Sequence, residues 1–434
     1  MAARDPLGGS VSIGAQLGRL LRGRTAQNLL ALYGVQFANY LLPLLTLPYL
    51  ARVLGPESWG SLAVVQSFAQ YLSLLVEYGF NLSATREVAR CRSDRHRLTG
   101  LLAAVSGAKL ILVMLAVGLA FILSQWVDNL GRDPRLLWCG VLWAVALGFS
   151  PVWFFQGLER LRMVAGLEVG TKLAALFLIF ILVRTPDDAW IVLFLQGIAS
   201  TLTSGLAFWL AGREVGFRLP NLHELGEAFH AGWAMFFFRS VVSLYTVGNV
   251  FILAFFLPPQ QVALYAGAER LTKAFLGMLE PINRAFFPRL SHLASQSTKD
   301  AAHLARRVIL VMGLGSLGAA VLLLGAAPLI VRLLLGSGYE GAVPVMRVLA
   351  VLLPMVALSN ALGIQWMLVL GQDRAFNVII SSAGLLNLLL ALLLVPRMGH
   401  MGMACAVVLV EVYVTGTIWL YLWHKGKTPW QVRI

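Results

Sequence analysis

From Asn28 to Trp423 the chain is a succession of apolar runs of about twenty residues, broken by short polar connectors. A helix needs about 20 apolar residues to cross the hydrocarbon of a bilayer. Inside lipid its backbone polar groups must be satisfied within the segment, which a helix does by itself. The pattern predicts an all-α polytopic membrane protein and leaves no stretch long enough for a soluble domain. Charged residues are 12% of the chain, about half the share usual in a soluble protein.

The spans fall at 28–52, 58–82, 99–124, 135–157, 165–184 and 189–211, then at 231–257, 261–288, 308–332, 343–370, 375–395 and 401–423. That makes about twelve transmembrane helices in two six-helix bundles. The longest interior connector, 212–230, separates a half at 28–211 from a half at 231–423; the flanks are a basic amphipathic N-terminus, 1–27, and a tail, 424–434. With an even number of helices in each, both halves enter the membrane in the same orientation, as in parallel-repeat transporters.

The net charge of +14 does not point to nucleic acid, because of where the cations sit. Connectors on the side of the N-terminus carry about 21 Lys and Arg and those opposite about seven, so both termini are expected in the cytoplasm. Arg86, Arg90, Arg92, Arg95 and Arg97 form the densest cluster, and Val11 to Arg24 reads as a basic stretch lying on lipid headgroups. Trp59, Trp126, Trp138, Trp190 and Trp233 fall at span ends, where an aromatic belt is expected. The first 27 residues hold no signal-peptide pattern. Three scattered cysteines and seven His without ligand spacing argue against a metal, and no cofactor is implied. Gly313, Gly315 and Gly318 spell a dinucleotide-like GxGxxG inside an apolar span, where close helix packing is the expected role.

An ionisable side chain at mid-helix costs about 2.5–3.5 kcal/mol on insertion scales, so each is a functional candidate. The bases within spans are Lys109, Lys172, Arg239, Arg270, Lys273 and Arg284; the acids are Glu77, Glu168, Glu269, Glu280 and Glu411. Glu168 and Lys172, Glu269 and Lys273, and Glu280 and Arg284 are four apart and can neutralise one another on one helix face. Arg239 and Lys109 have no such neighbour. With Arg270 they are expected to line a hydrated cationic cavity selective for an anion, and Lys273 and Arg52 are further candidates there. Glu77 and Glu411 are candidates for binding H⁺ or Na⁺. Pro43 and Pro48 break the hydrogen-bond ladder of the first span and predict a bend that can work as a gate, with Gln36 and Asn39 just before it.

Several segments resemble the Wzx-type polysaccharide flippases, in the superfamily that also holds MurJ and the MATE exporters. They are LLPLLTLPYLARVLGPESWGSLAVVQSF (Leu41 to Phe68), VEYGFNLSATREVAR (Val76 to Arg90), PVWFFQGLERLRMVA (Pro151 to Ala165), LYTVGNVFILAFFLPPQQVALYAGAERL (Leu244 to Leu271) and EPINRAFFPRLSHL (Glu280 to Leu293). The resemblance implies a MATE/MurJ-like fold in the bacterial inner membrane and no enzymatic activity. It implies transport of an undecaprenyl-pyrophosphate-linked oligosaccharide for O-antigen or exopolysaccharide synthesis. Membrane lipids are then partners, and a glycan polymerase or chain-length regulator is a candidate one. Arg suits a pyrophosphate through its forked donors. The rivals are a MATE-like drug exporter, which would want acids dominating its cavity, and a membrane enzyme of glycan assembly. The latter needs a sizeable outer loop or an interfacial carboxylate, and the longest outer connector, 125–134, offers only Asp128 and Asp133.

Overall fold

A computed structural model describes the backbone of residues 24–277 and 280–432, and the side chains of 42–277, 283 and 286–432. The basic stretch expected at the N-terminus falls almost wholly outside the described residues, as do the side chains of Gln36, Asn39, Glu280 and Arg284. The helices are α1 (Arg24–Glu77), α2 (Phe80–Arg90), α3 (Arg95–Trp126), α4 (Asp128–Gly131), α5 (Pro134–Gly148), α6 (Val152–Gly157), α7 (Leu161–Leu182) and α8 (Ala189–Val215). After the connector come α9 (Leu222–Thr246), α10 (Asn249–Leu253), α11 (Pro259–Gly277), α12 (Glu280–Gln296), α13 (Thr298–Leu334), α14 (Ala342–Ala350) and α15 (Leu352–Ser359). A π-helical segment (Asn360–Met367), α16 (Asp373–Met398) and α17 (His400–His424) complete the chain. No strand forms among the described residues.

A straight helix of the 54 residues of α1 would be about 80 Å long at 1.5 Å per residue, far more than a bilayer holds. It folds back at Gly55, whose φ of 69° and ψ of 173° lie outside the helical region. Only glycine adopts such a conformation without strain, and Pro56 then starts the second rod, where its missing N–H is not needed. The first rod runs through Pro43 and Pro48 without leaving helical dihedrals. The Thr46 hydroxyl donates to the carbonyls of Leu42, at 3.3 Å, and Pro43, at 3.0 Å, in the turn the prolines interrupt.

Nine helical stretches among the described residues are long and apolar enough to cross a membrane. The first of them contains the fold-back at Gly55, and α9 and α11 carry polar groups that lower their hydropathy, so the described helices order into about twelve passages. Trp126, Trp138 and Trp233 are exposed on the outside of the bundle. Trp59 departs from the expected belt: it is fully buried, edge-on to Tyr339 at 6.0 Å. The GxGxxG glycines also depart from expectation, since a side chain at Gly315 or Gly318 would meet open space and not a packed helix.

Three apolar cores organise the described residues of the bundle. The largest takes residues from both halves, among them Leu54, Leu62, Val65 and Leu137 with Leu253, Val262, Leu335 and Val345. It lies toward the end of the bundle opposite the C-terminus. Toward the C-terminal end each half keeps its own core: Val88, Leu102, Trp153 and Val164 in the first, Leu290, Met312, Trp366 and Ile418 in the second. The halves are therefore welded at one end of the bundle and hold separate cores at the other. At that second end α9 makes the bridge, placing Ala228 in the first half's core before its later turns pack on α16.

Candidate site between the two halves

The seam between the halves follows the second rod of α1 against α9 and α11. Its welded end is closed by polar as well as apolar contacts. Arg52 donates to the carbonyl of Leu333, Tyr339 to that of Ala51 at 3.1 Å, and Asn129 to those of Ala254 and Leu257 at 2.6 and 2.9 Å. Gly60 lets the chains meet there, because a Cβ on it would lie 2.0 Å from the Pro259 carbonyl oxygen. Arg52, a candidate for the cationic cavity, thus fastens the two halves together.

Farther along the seam, Ser67 and Tyr71 donate to the carbonyls of Val247 and Ser243 at 3.0 and 3.1 Å. Arg270 reaches across from α11, donating to the Gln66 carboxamide oxygen, and its guanidinium lies over the Trp59 ring at 5.1 Å. Such a cation–π contact strengthens when it is shielded from water. Arg239 donates to the Glu77 carboxylate across the seam. Its own helix offers it no acid three or four positions away; the first half does. Beside this pair Tyr78 stacks on Phe236 at 4.7 Å, and Gly79 sits close to Met235.

Lys273 donates to the Thr246 carbonyl at 2.8 Å and lies 3.1 Å from Glu269. Glu269 opens a chain of buried polar groups in the second half. Tyr265 and Asn249 donate to it at 3.2 and 3.3 Å, and Asn387 donates to the Asn249 side-chain oxygen at 2.9 Å. Gln66, Asn249 and Asn387 were not singled out in the sequence. The available signal was an uncharged amide inside an apolar run, as in GLLNLLLALLL, and buried amides nearly always have hydrogen-bond partners.

Two candidates keep their hydrogen bonds within one half. Lys109 has 1% of its surface exposed and donates to the carbonyls of Gly148, at 2.8 Å, and Ser150, at 3.0 Å, where α5 ends. A cation there meets carbonyls that the helix leaves unpaired and the negative end of its dipole. Lys109 therefore does not line a cavity in this conformation, contrary to expectation. Glu411 is buried within the second half and accepts from Ser359 at 2.5 Å. Glu168 and Lys172 form the expected pair on α7. Pro43 is exposed and Pro48 half-buried on the first rod. No cluster of metal-binding side chains occurs among the described residues.

The seam, then, is a line of Arg239, Arg270 and Lys273 with Glu77, Glu269 and neutral amides, lying between halves whose cores part toward the C-terminal end. Residues 25–294 match the family described as polysaccharide biosynthesis protein. Two curated proteins, each named "Putative O-antigen transporter", are similar over most of their length. One, from Escherichia coli (strain K12), is 32% identical over 399 residues, 91% of this chain and 96% of that protein. The other, from Shigella dysenteriae, is 30% identical over 398 residues, 89% and 97% of the two chains. Among solved structures, the lipid II flippase MurJ in an inward closed conformation superposes with a TM-score of 0.70 at 12% identity, over 91% of this chain and 87% of that one. An inward-facing multidrug resistance MATE family transporter of the MOP superfamily gives 0.69 at 14% identity, over 93% and 100%.

Proposed function

The chain belongs to the polysaccharide biosynthesis protein family, and on that premise we propose that it is a flippase for an undecaprenyl-pyrophosphate-linked oligosaccharide. It moves this substrate across the bacterial inner membrane by alternating access, for O-antigen or exopolysaccharide assembly. Both termini and the connector between the halves lie in the cytoplasm, as the bias of Lys and Arg requires.

The observation that carries this reading is the arrangement of the three cores. One core welds the halves at the end opposite the C-terminus, and two separate cores part from each other at the C-terminal end. A rocking motion that exchanges these two arrangements moves access from one side of the membrane to the other. The basic groups on the seam supply the anion preference. A pyrophosphate entering between the halves competes with Glu77 for Arg239 and with Gln66 for Arg270. Fixed cations offset its desolvation at mid-membrane, and a charge-assisted contact of this kind contributes about 1.5–3 kcal/mol. The membrane potential favours outward movement of each negative charge by about 2.3 kcal/mol per 100 mV.

The Glu77–Arg239 pair also offers a coupling route. Protonation of Glu77 frees Arg239 for the substrate, and loss of the proton restores the pair as the phosphate leaves. Glu411, enclosed within the second half, is not placed to compete for the same substrate group. A glycan polymerase or chain-length regulator would receive the product on the outer face.

Purified protein in liposomes tests the reading. Lipid-linked oligosaccharide on one leaflet should reach the other in a protein-dependent way, measured by its exposure to a membrane-impermeant glycan-binding protein. Absence of transfer, with accumulation of organic cations in the same vesicles, would establish a drug exporter instead.

A further inference from the structure

A shallow groove of about 360 Å³ opens on the membrane-facing side of the second half, away from the seam. Its walls come from α15, the π-helical segment and α17, with Ile309 of α13 at one edge and Trp430 of the tail at the end. The lining is almost wholly apolar, with Leu358, Leu362, Gly416 and Trp419 among it. Thr415, a polar side chain in that wall, spends its hydroxyl on the Met355 carbonyl at 3.1 Å. Gly416 is what leaves the groove hollow, since a Cβ there would meet nothing within 4 Å.

The tail finishes the site. After α17 the chain turns back, held where Trp366 Nε1 donates to the Lys427 carbonyl and Arg306 Nε to that of Pro429, each at 2.8 Å. This sets Trp430 against Trp419, ring centres 5.6 Å apart, as a tryptophan pair at headgroup depth. Lys425 and Lys427 precede Trp430 in the same tail by five and three residues, both exposed. Neither belongs to any ion pair among the described residues. An apolar slot at acyl-chain depth, with unpaired lysines at its headgroup end, is complementary to an anionic lipid in both its parts.

We propose that this groove between α15 and α17 holds one acyl chain of an anionic glycerophospholipid, with its phosphate at Lys425 and Lys427. The lipid belongs to the leaflet on the C-terminal side, which is the cytoplasmic one in the topology proposed above. It is a resident lipid and not the cargo, because the groove lies on the outside of one half while the seam runs between the two. Bound there, it staples the tail to α13 and α17 and stiffens the half that must move as a body.

The test is native mass spectrometry of the full chain in detergent, titrated with phosphatidylglycerol and with phosphatidylethanolamine of the same acyl chains. The wild type should retain phosphatidylglycerol at least threefold better. Replacing Lys425 and Lys427 together by Gln should bring that ratio close to one. Gly416→Leu, whose Cβ would meet nothing within 4 Å and whose isobutyl group would project into the groove, should lower occupancy by both lipids at least fivefold. Wild-type occupancy in Gly416→Leu would overturn the proposal, as would displacement of phosphatidylglycerol by equimolar undecaprenyl phosphate. Should Gly416→Leu fail to fold, quenching by brominated-chain phosphatidylglycerol decides. The quenched signal should drop in Trp430→Phe relative to wild type, and an unchanged loss overturns the proposal.

Discussion

Arg239 and Glu77 stand 162 residues apart in the chain and form a cross-half ion pair at the point where α9 passes from the core of one half to that of the other. The Glu77 side chain is 15% exposed and that of Arg239 36%, so the cation is half-exposed while the carboxylate is largely enclosed. An ion pair so placed is screened in part and contributes less than a fully buried one. Its value is positional, since it joins the halves through a single contact that the proposed anionic substrate would have to displace.

Arg239→Ala should therefore lower glycan export at least tenfold in a deletion strain, normalised to membrane-inserted protein. Arg239→Lys should recover part of it, since Lys keeps the charge and loses the fork. Glu77→Gln should weaken the dependence of export on the proton gradient. Normal export by Arg239→Ala would remove Arg239 from the substrate path, and full proton dependence in Glu77→Gln would remove the coupling role.

Lys109 calls for the opposite expectation. Its ammonium satisfies two carbonyls at the end of α5, and leaving such groups unpaired in the interior costs about 1–3 kcal/mol. Lys109→Met should lower the unfolding temperature in detergent and the amount of protein in the membrane. Transport per inserted molecule should stay within about twofold of wild type, as a structural and not a substrate contact requires. A stable Lys109→Met protein with abolished transport would return Lys109 to the substrate path.

The contrast between these two residues shows what the sequence could convey. Helices were legible because lipid demands long apolar runs, and the gap between the spans 28–52 and 58–82 is where the chain turns at Gly55. Charge partners were legible only within a helix, where a spacing of four puts Glu168 beside Lys172. Arg239 looked unpaired because its acid comes from another helix. Lys109 looked unpaired because its partners are backbone carbonyls, which every residue has and no residue type announces. The amides Gln66, Asn249 and Asn387 escaped notice because they carry no charge to make them conspicuous, although burial constrains them just as strongly.

Gly60 tests the weld. A methyl group 2.0 Å from the Pro259 oxygen cannot be absorbed by a flexible side chain, since the obstacle is backbone. Gly60→Ala should push α1 and α11 apart at the welded end. A cysteine introduced at Gln66 should then react with charged thiol reagents from the outside at least threefold faster, relative to inside labelling, than in the Gly60 parent. An unchanged ratio would mean that the contact does not set which side is closed.

The topology is open to a direct check, because one orientation must account for every connector. Asp94, the connector between α8 and α9 and the C-terminus belong to the end of the bundle where the cores are separate, and Asn129 to the welded end. Reporters fused after residues 95 and 222 should give a cytoplasmic signal, and one fused after 129 an exterior signal. An exterior signal at 222 would overturn the division into six and six.

Pro43 and Pro48 bear on the motion itself. Each removes one backbone donor from the first rod of α1, yet the rod keeps helical dihedrals through both. With two rungs missing, bending there disturbs fewer hydrogen bonds than bending an intact helix. The same rod reaches Arg52, which is fastened to the Leu333 carbonyl of the other half. If that contact releases during transport, the weakened stretch should let the rod's end swing without unfolding. Replacing both prolines by Ala restores the missing donors and should stiffen the rod. Export at limiting expression should then fall at least threefold, with abundance and unfolding temperature equal to or above wild type. Undiminished export by the double variant would show that the rod moves as a rigid piece and that the bend lies elsewhere, with Gly55 the next residue to test.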